Sequence, residues 1–184
     1  MRLRFVTSNE HKFREISAFL AMHGDECEWV RMKYEEIQDD TTESISLASA
    51  RFLRGKVPEP FFLEDTGLYI DSLKGFPGPY SSYVQSTIGN SGILALLKEK
   101  WREASFRTVI SYVSGDGIEQ FTGILKGSIA QEERGASGFG FDPIFIPRDS
   151  SKSLAEMSID EKNQHSHRIN ALKLFIAHLE KSQQ

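Results

Sequence analysis

The sequence is poor in several features that would each mark a whole class of protein. It holds one cysteine, Cys27, in 184 residues, so it can form no internal disulfide and no cysteine-rich zinc site. Placed between Glu26 and Glu28, Cys27 reads as a strand residue rather than a nucleophile. No apolar run approaches the roughly 20 residues that a bilayer-spanning helix needs. The opening stretch MRLRFVTSNEHKF turns polar after six residues and lacks the apolar segment and cleavage site of a secretory signal, so a cytoplasmic setting is expected. Positive charge is not in excess either. The 22 Lys and Arg against 26 Asp and Glu leave a formal charge of −4, whereas affinity for a nucleic-acid backbone comes from clustered cations. Neither a nucleic acid nor a membrane is expected as a partner. A small anionic substrate stays open if cations gather locally. The loop GxxxxGK[ST] of the common nucleotide hydrolases is absent, as are repeats, low-complexity tracts and linkers.

What is present is the composition of a soluble globular chain, with 39% hydrophobic and 26% charged residues. A chain of this length buries roughly 70% of its unfolded surface, and one domain over residues 1–184, or one domain with a modest second lobe, is expected. Leu3 to Thr7 reads as a strand and Asn9 to His23 as a helix, with Phe13, Ile16 and Leu20 on one face and Gly24 as its stop. Residues 27–32 read as a second strand and residues 44–54 as a helix. Pro58 and Pro60 precede an apolar strand that is expected to end at Glu64 and Asp65. The stretch GFPGPYSSY is rich enough in glycine and proline to be expected as a loop, with a helix over 93–101 beyond it. Alternation over 105–113, the turn SGDG and a partner strand over 118–129 make a hairpin. Ser153 with Glu156, and Ser158 with Glu161, have the spacing of capping boxes. Ile169, Leu172, Ile176 and Leu179 form the buried stripe of a last helix. This order implies an α/β protein with a mixed sheet.

Some residue groups in this frame suggest chemistry. The turn TSNEHK between strand and helix puts backbone N–H groups and a helix N-terminus where a phosphate could sit, with Lys12 one turn in; Ser8 or Asn9 capping the helix would explain it equally. Glu64 and Asp65 close an apolar strand, where paired carboxylates cost several kcal/mol unless something positive joins them. Mg²⁺ suits them, because it takes carboxylates together with substrate phosphate oxygens; a salt bridge to lysine or arginine at a sheet edge would also do. The acidic segment from Glu35 to Glu43 either lends a further ligand or is a solvated face. In GASGFGFDP, Phe139 and Phe141 could stack on a planar base or serve the core. The run HSHR, 165–168, lies just before a helix and offers donors; on a helix its two histidines would point roughly 200° apart, which argues against zinc.

Together these motifs resemble the inosine triphosphate pyrophosphatase family, which cleaves deaminated purine nucleoside triphosphates. The resemblance is carried by Thr7-Ser8-Asn9 with Lys12, by Glu64-Asp65-Thr66-Gly67 and by Gly75-Phe76-Pro77-Gly78. Phe139-Gly140-Phe141-Asp142-Pro143 and Glu161-Lys162-Asn163 with Ser166-His167-Arg168 complete it, in the family's order and over nearly the whole chain. It implies an elongated mixed β-sheet flanked by helices, two lobes with the active cleft between them, and a homodimer. It further implies that Thr7, Ser8, Asn9 and Lys12 hold the triphosphate, and that Glu36 and Asp65 bind Mg²⁺. Asp65 would activate the attacking water and Thr66 touch the substrate. Phe139, Gly140, Phe141 and Asp142 would hold the base, with Lys162, His167 and Arg168 completing the contacts. Two positions depart from the family pattern. Ser8 stands where most relatives carry glycine, and near Ser49 many have a phosphate-binding lysine that Arg51 or Arg54 would have to replace.

The implied reaction is Mg²⁺-dependent hydrolysis of ITP, dITP or XTP to the monophosphate and pyrophosphate, cleansing the nucleotide pool. Two rivals remain. Asp65-Thr66-Gly67 after an apolar strand is shared with phosphotransferases that form an aspartyl phosphate, though these carry a second aspartate where Gly67 stands. A regulatory module that binds nucleotides without hydrolysing them is the other.

Overall fold

In a computed structural model that describes residues 1–182, strands and helices alternate in the predicted order, with boundaries that the surroundings adjust. Strand β1 (Arg2–Val6) leads into helix α1 (Glu10–Met22), whose cap Asn9 accepts the backbone N–H of Lys12. Gly24, at φ 79°, ends that unit in the left-handed conformation glycine adopts without strain. Strand β2 (Glu26–Val30) and helix α2 (Thr42–Leu53) follow, the helix capped by the Thr41 side chain.

The strand expected to stop at the carboxylates does not stop there. β3 runs Phe61–Ile70 without a break, so Glu64 and Asp65 are interior strand residues. Leu68 and Ile70 are fully buried beyond them, and this second apolar pair is what carries the strand onward. The glycine- and proline-rich stretch is likewise not only loop. Pro77–Gly78 form β4, paired antiparallel with Leu68 and Tyr69, and α3 (Ser81–Thr87) begins inside it. Helix α4 (Gly89–Leu96) starts earlier than expected and ends before Trp101. β5 (Glu103–Ser114) and β6 (Gly117–Ile129) form the predicted hairpin around Gly115-Asp116. A strand that the sequence reading missed, β7 (Phe145–Pro147), is three residues long, too short to display a period. Both capping boxes are present, one starting a short 3₁₀ turn and the other α5 (Ile159–Gln164). The last helix, α6 (His167–Ser182), begins at His167, so His167 and Arg168 lie in its first turn rather than before it.

The sheet has seven strands in the order β2-β1-β3-β5-β6-β7, with β4 attached to β3. β1 is parallel to β2 and β3, whereas β3–β4 and β6–β7 are antiparallel, which makes the sheet mixed, as expected.

The chain forms two compact units. The first comprises Met1–Asp65, Thr108–Gly123 and the segment from Arg168; the second comprises Thr66–Arg107 and Ile124–His167. In the first, side chains alternate across the strands. Leu3, Phe5 and Phe62 face a core completed by Ile16, Leu20 and Phe175, while Val6, Phe61 and Leu63 face a second core with Ala50, Leu53 and Val57. All four residues of the predicted last-helix stripe are buried. The second unit has its own core, around Leu68, Ile70, Ile93, Phe106 and Phe145.

Candidate active site

The turn after β1 is built by side chains that satisfy its own backbone. Thr7 is buried and its Oγ1 accepts the N–H of Asn9 at 3.0 Å, while Asn9 Oδ1 accepts the N–H of Lys12 at 3.2 Å. The indole N–H of Trp29 donates to the Thr7 carbonyl at 2.8 Å, and the Trp29 ring stacks on Phe13 at 4.4 Å. Ser8 is exposed and lies outside the left-handed region, so its Cβ imposes no strain and glycine is not required there.

On β3 the two carboxylates point to opposite sides, because neighbouring strand residues alternate. Glu64 lies on the face of Phe62, under α1 and α6. Its side chain is completely buried, with Lys12 Nζ at 2.7 Å from Oε2 and Arg168 Nε at 3.0 Å from Oε1. Arg168 is also paired with Glu15 of α1. Burial alone pulls the Arg168 guanidinium downward, but Glu64 and Glu15 outweigh it and leave its pKa raised. The salt-bridge reading is therefore the right one for Glu64, although β3 is an interior strand and not an edge.

Asp65 is half-buried on the other face. Its surroundings are reported by Tyr34, a residue the sequence reading passed over. Burial pushes the Tyr34 phenol upward, and Glu36, Asp65 and Glu64 push it further in that order, while a hydrogen bond with Ser49 works the other way. Tyr34 is thus a neutral hydroxyl beside Glu36 and Asp65, two of the predicted site residues. Its only signal in the sequence is an aromatic at the head of an acidic segment. Ser49 is buried and engaged with Tyr34. Arg54 donates to Glu59 at 3.2 Å and to the Ser114 carbonyl at 3.1 Å, and Arg51 is exposed on α2.

In the second unit, Asp142 closes the aromatic loop on itself. It is buried, and Oδ2 accepts the Phe139 N–H at 2.8 Å and the Lys162 ammonium at 2.9 Å. The ammonium also lies 5.1 Å from the centre of the Phe139 ring. Gly138, at φ 79°, must be glycine, because a Cβ there would overlap the Asp142 carboxylate. Gln85 Nε2 donates to the Gly140 carbonyl at 3.2 Å. The two aromatic rings differ in role: Phe139 is half-buried, but Phe141 is part of the core. His167 is buried with its ring stacked on Phe106 at 4.7 Å, and Thr66 is half-buried on β3.

The family model of the Ham1 family matches residues 3–178. The chain belongs to the Ham1 family. It is similar to a dITP/XTP pyrophosphatase of Pyrococcus horikoshii, 49% identical over 176 residues, or 95% of each chain. A dITP/XTP pyrophosphatase of Thermococcus kodakarensis gives the same identity and coverage. Among solved structures, the Staphylococcus aureus Ham1 protein superposes with a TM-score of 0.85 at 26% identity, covering 99% of this chain and 100% of that one. The resemblance read from the motifs is borne out, as is the mixed α/β fold.

Among the described residues of this Ham1 family member, no group of three or more His, Cys, Asp and Glu side chains could hold a metal ion. Glu36 and Asp65 both act on Tyr34, and together they would offer an ion two carboxylates. That fits Mg²⁺, which draws its remaining ligands from water and substrate phosphates, and not a metal that needs an all-protein cage. Cys27 takes no part. Burial pushes its thiol up to about 12, so at pH 8 only on the order of one molecule in ten thousand carries the reactive thiolate. Iodoacetamide at pH 8 is expected to leave Cys27 unmodified in the folded protein, with reaction appearing on denaturation; rapid labelling of the native protein would contradict this.

Proposed function

We propose that the protein is a nucleoside triphosphate pyrophosphatase that hydrolyses ITP, dITP and XTP to the monophosphate and pyrophosphate with Mg²⁺. The observation that carries this reading is the 49% identity, over 95% of both chains, to a protein named dITP/XTP pyrophosphatase. It is supported by the turn at Thr7–Lys12 and by the separate placement of Glu64 and Asp65 on β3. A homodimer in the cytoplasm, with no nucleic-acid or membrane partner, belongs to the same proposal. Among the described residues, no helix is long and apolar enough to cross a membrane.

In this reading Thr7, Ser8, Asn9 and Lys12 bind the triphosphate at the N-terminus of α1, with the Lys12 ammonium as its cation. Mg²⁺, held by Glu36 and Asp65, would neutralise charge on the phosphates. Asp65 takes a proton from the water whose oxygen bonds to the α-phosphorus, and the bond to the β-phosphate oxygen breaks to release pyrophosphate. Tyr34 keeps its proton and so serves as a hydrogen-bond donor beside these carboxylates. Thr66 touches the substrate, and Phe139, Gly140, Phe141, Asp142 and Lys162 hold the base. Donors on His167 and Arg168 meet the 6-keto oxygen of hypoxanthine or xanthine. Adenine has an amino group there, and each buried donor left unpaired costs about 1–3 kcal/mol, or one to two orders of magnitude in selectivity.

The test is a product analysis. Incubation with ITP, XTP, GTP and ATP in Mg²⁺ is expected to convert ITP and XTP to monophosphate and pyrophosphate. Orthophosphate, IDP and a phosphorylated Asp65 would instead identify the aspartyl-phosphate route, and tight binding without turnover would identify a regulatory module.

A further inference from the structure

Glu64 has no part in that reaction, yet its charges are arranged unequally. It belongs to a group of two carboxylates and two cations in which Glu64 and Arg168 are buried and Glu15 and Lys12 half-buried. Arg168 is held on both sides, by Glu15 and by Glu64, and its side chain is 3% exposed. Lys12 is bound at one end only. Its ammonium touches Glu64 Oε2 at 2.7 Å and the Glu64 carbonyl at 3.5 Å, on a flexible four-carbon stem that is 19% exposed. Thr108 Oγ1 lies 3.5 Å from the other Glu64 oxygen. If Lys12 swings away, Glu64 keeps Arg168, so the departure does not strand an uncompensated buried carboxylate, which is the step that makes most buried pairs hard to open.

We propose that Glu64 is a positioning residue that holds Lys12 when no phosphate is bound and surrenders it to the incoming phosphates, so that every binding event must break the Lys12–Glu64 pair. This rests on the proposed role of Lys12 as a phosphate ligand. Its consequence is a deliberately weakened grip on phosphate: Glu64 competes with substrate on entry and reclaims Lys12 as pyrophosphate leaves. The Arg168–Glu64 pair persists throughout and keeps α6 tied to β3.

The test is calorimetric titration of pyrophosphate with Mg²⁺ into the parent, Glu64→Gln, Lys12→Gln and the double variant. The glutamine at 64 still accepts from Arg168 but no longer holds an ammonium by charge. Because a hydrogen bond to a charged group is at stake, Glu64→Gln is expected to bind pyrophosphate about tenfold more tightly, with a lower KM for ITP. In the Lys12→Gln background the gain should vanish. Equal or weaker binding by Glu64→Gln overturns the proposal, and so does a gain that survives without Lys12, since removing a negative charge would then act through the field alone. Should Glu64→Gln not fold, the ¹⁵N-labelled Lys12 ammonium resonance of the parent decides: it shifts on titration with pyrophosphate if the pair opens, and an unmoved resonance with bound pyrophosphate overturns the idea. A parent that hydrolyses ITP while Glu64→Gln shows no gain refutes the latch alone; a parent that neither binds pyrophosphate nor consumes ITP refutes both readings.

Discussion

Replacing Asp65 with Asn is expected to lower the rate of ITP hydrolysis by about 10² to 10⁴-fold, the range that a positioned general base contributes. The substitution preserves size and shape, but it removes both the proposed proton acceptor and one proposed negative donor to Mg²⁺. Stability should not follow activity. Asp65 is half-buried, and it is one of three carboxylates acting together on the Tyr34 phenol. Tyr34 is neutral, so what the substitution removes is one of three negative charges gathered around it, and the metal-free variant is expected to be as stable as the parent or more so. Stabilisation by added Mg²⁺ and nucleotide should shrink, because ligand-induced stability scales with affinity. Thermal melts with and without Mg²⁺, run beside the ITP assay, check both halves. A destabilised variant that keeps near-parental turnover would falsify the role given to Asp65 and make it a structural partner.

Arg168→Ala is expected to have the largest effect on stability of any single substitution in this cluster. The guanidinium is buried between Glu64 and Glu15, and removing one partner of a buried charge group costs about 3–5 kcal/mol, because Glu15 loses the guanidinium and Glu64 is left with Lys12 as its cation for two buried oxygens. Denaturant unfolding reads this directly; a loss below about 1 kcal/mol, the level of exposed pairs, would show that the cluster contributes little. Kinetics under conditions where the variant stays folded then address the base. If Arg168 also meets the 6-keto oxygen, kcat/KM falls far more for ITP than for ATP. Equal losses for the two substrates would confine Arg168 to the ion cluster.

These two residues show where reading the chain succeeded and where it could not. The order of helices and strands was legible, because periodicity, glycine stops and capping boxes are local. Asn9 as a cap, the Gly115-Asp116 turn, both serine–glutamate boxes and the stripe on α6 all follow from neighbours within four residues. The misreadings lie where a distant partner decides. Pro77–Gly78 look like loop until Leu68 and Tyr69 pair with them, and Phe145–Pro147 become a strand only against residues 127–129 of β6. Phe141 and Phe139 are alike in sequence, and only the core around Leu68 and Phe106 separates them.

The sequence by itself determined the family. Motifs from Thr7-Ser8-Asn9 to Ser166-His167-Arg168 are short, ordered and chemically specific, and the Ham1 match over residues 3–178 agrees with them. It also determined that β3 would carry two adjacent carboxylates in need of positive charge. It could not say which cation each would meet, since Lys12 and Arg168 are separated from Glu64 by 52 and 104 positions. Only the tertiary structure divided the pair. Alternation along β3 turns Glu64 toward α1 and α6, where a half-buried ammonium and a buried guanidinium offset its desolvation, and turns Asp65 toward Tyr34 and Glu36. The physical reason is that local patterns are written in adjacent residues, whereas the compensation of a buried charge depends on whatever the fold brings within a few ångströms of it.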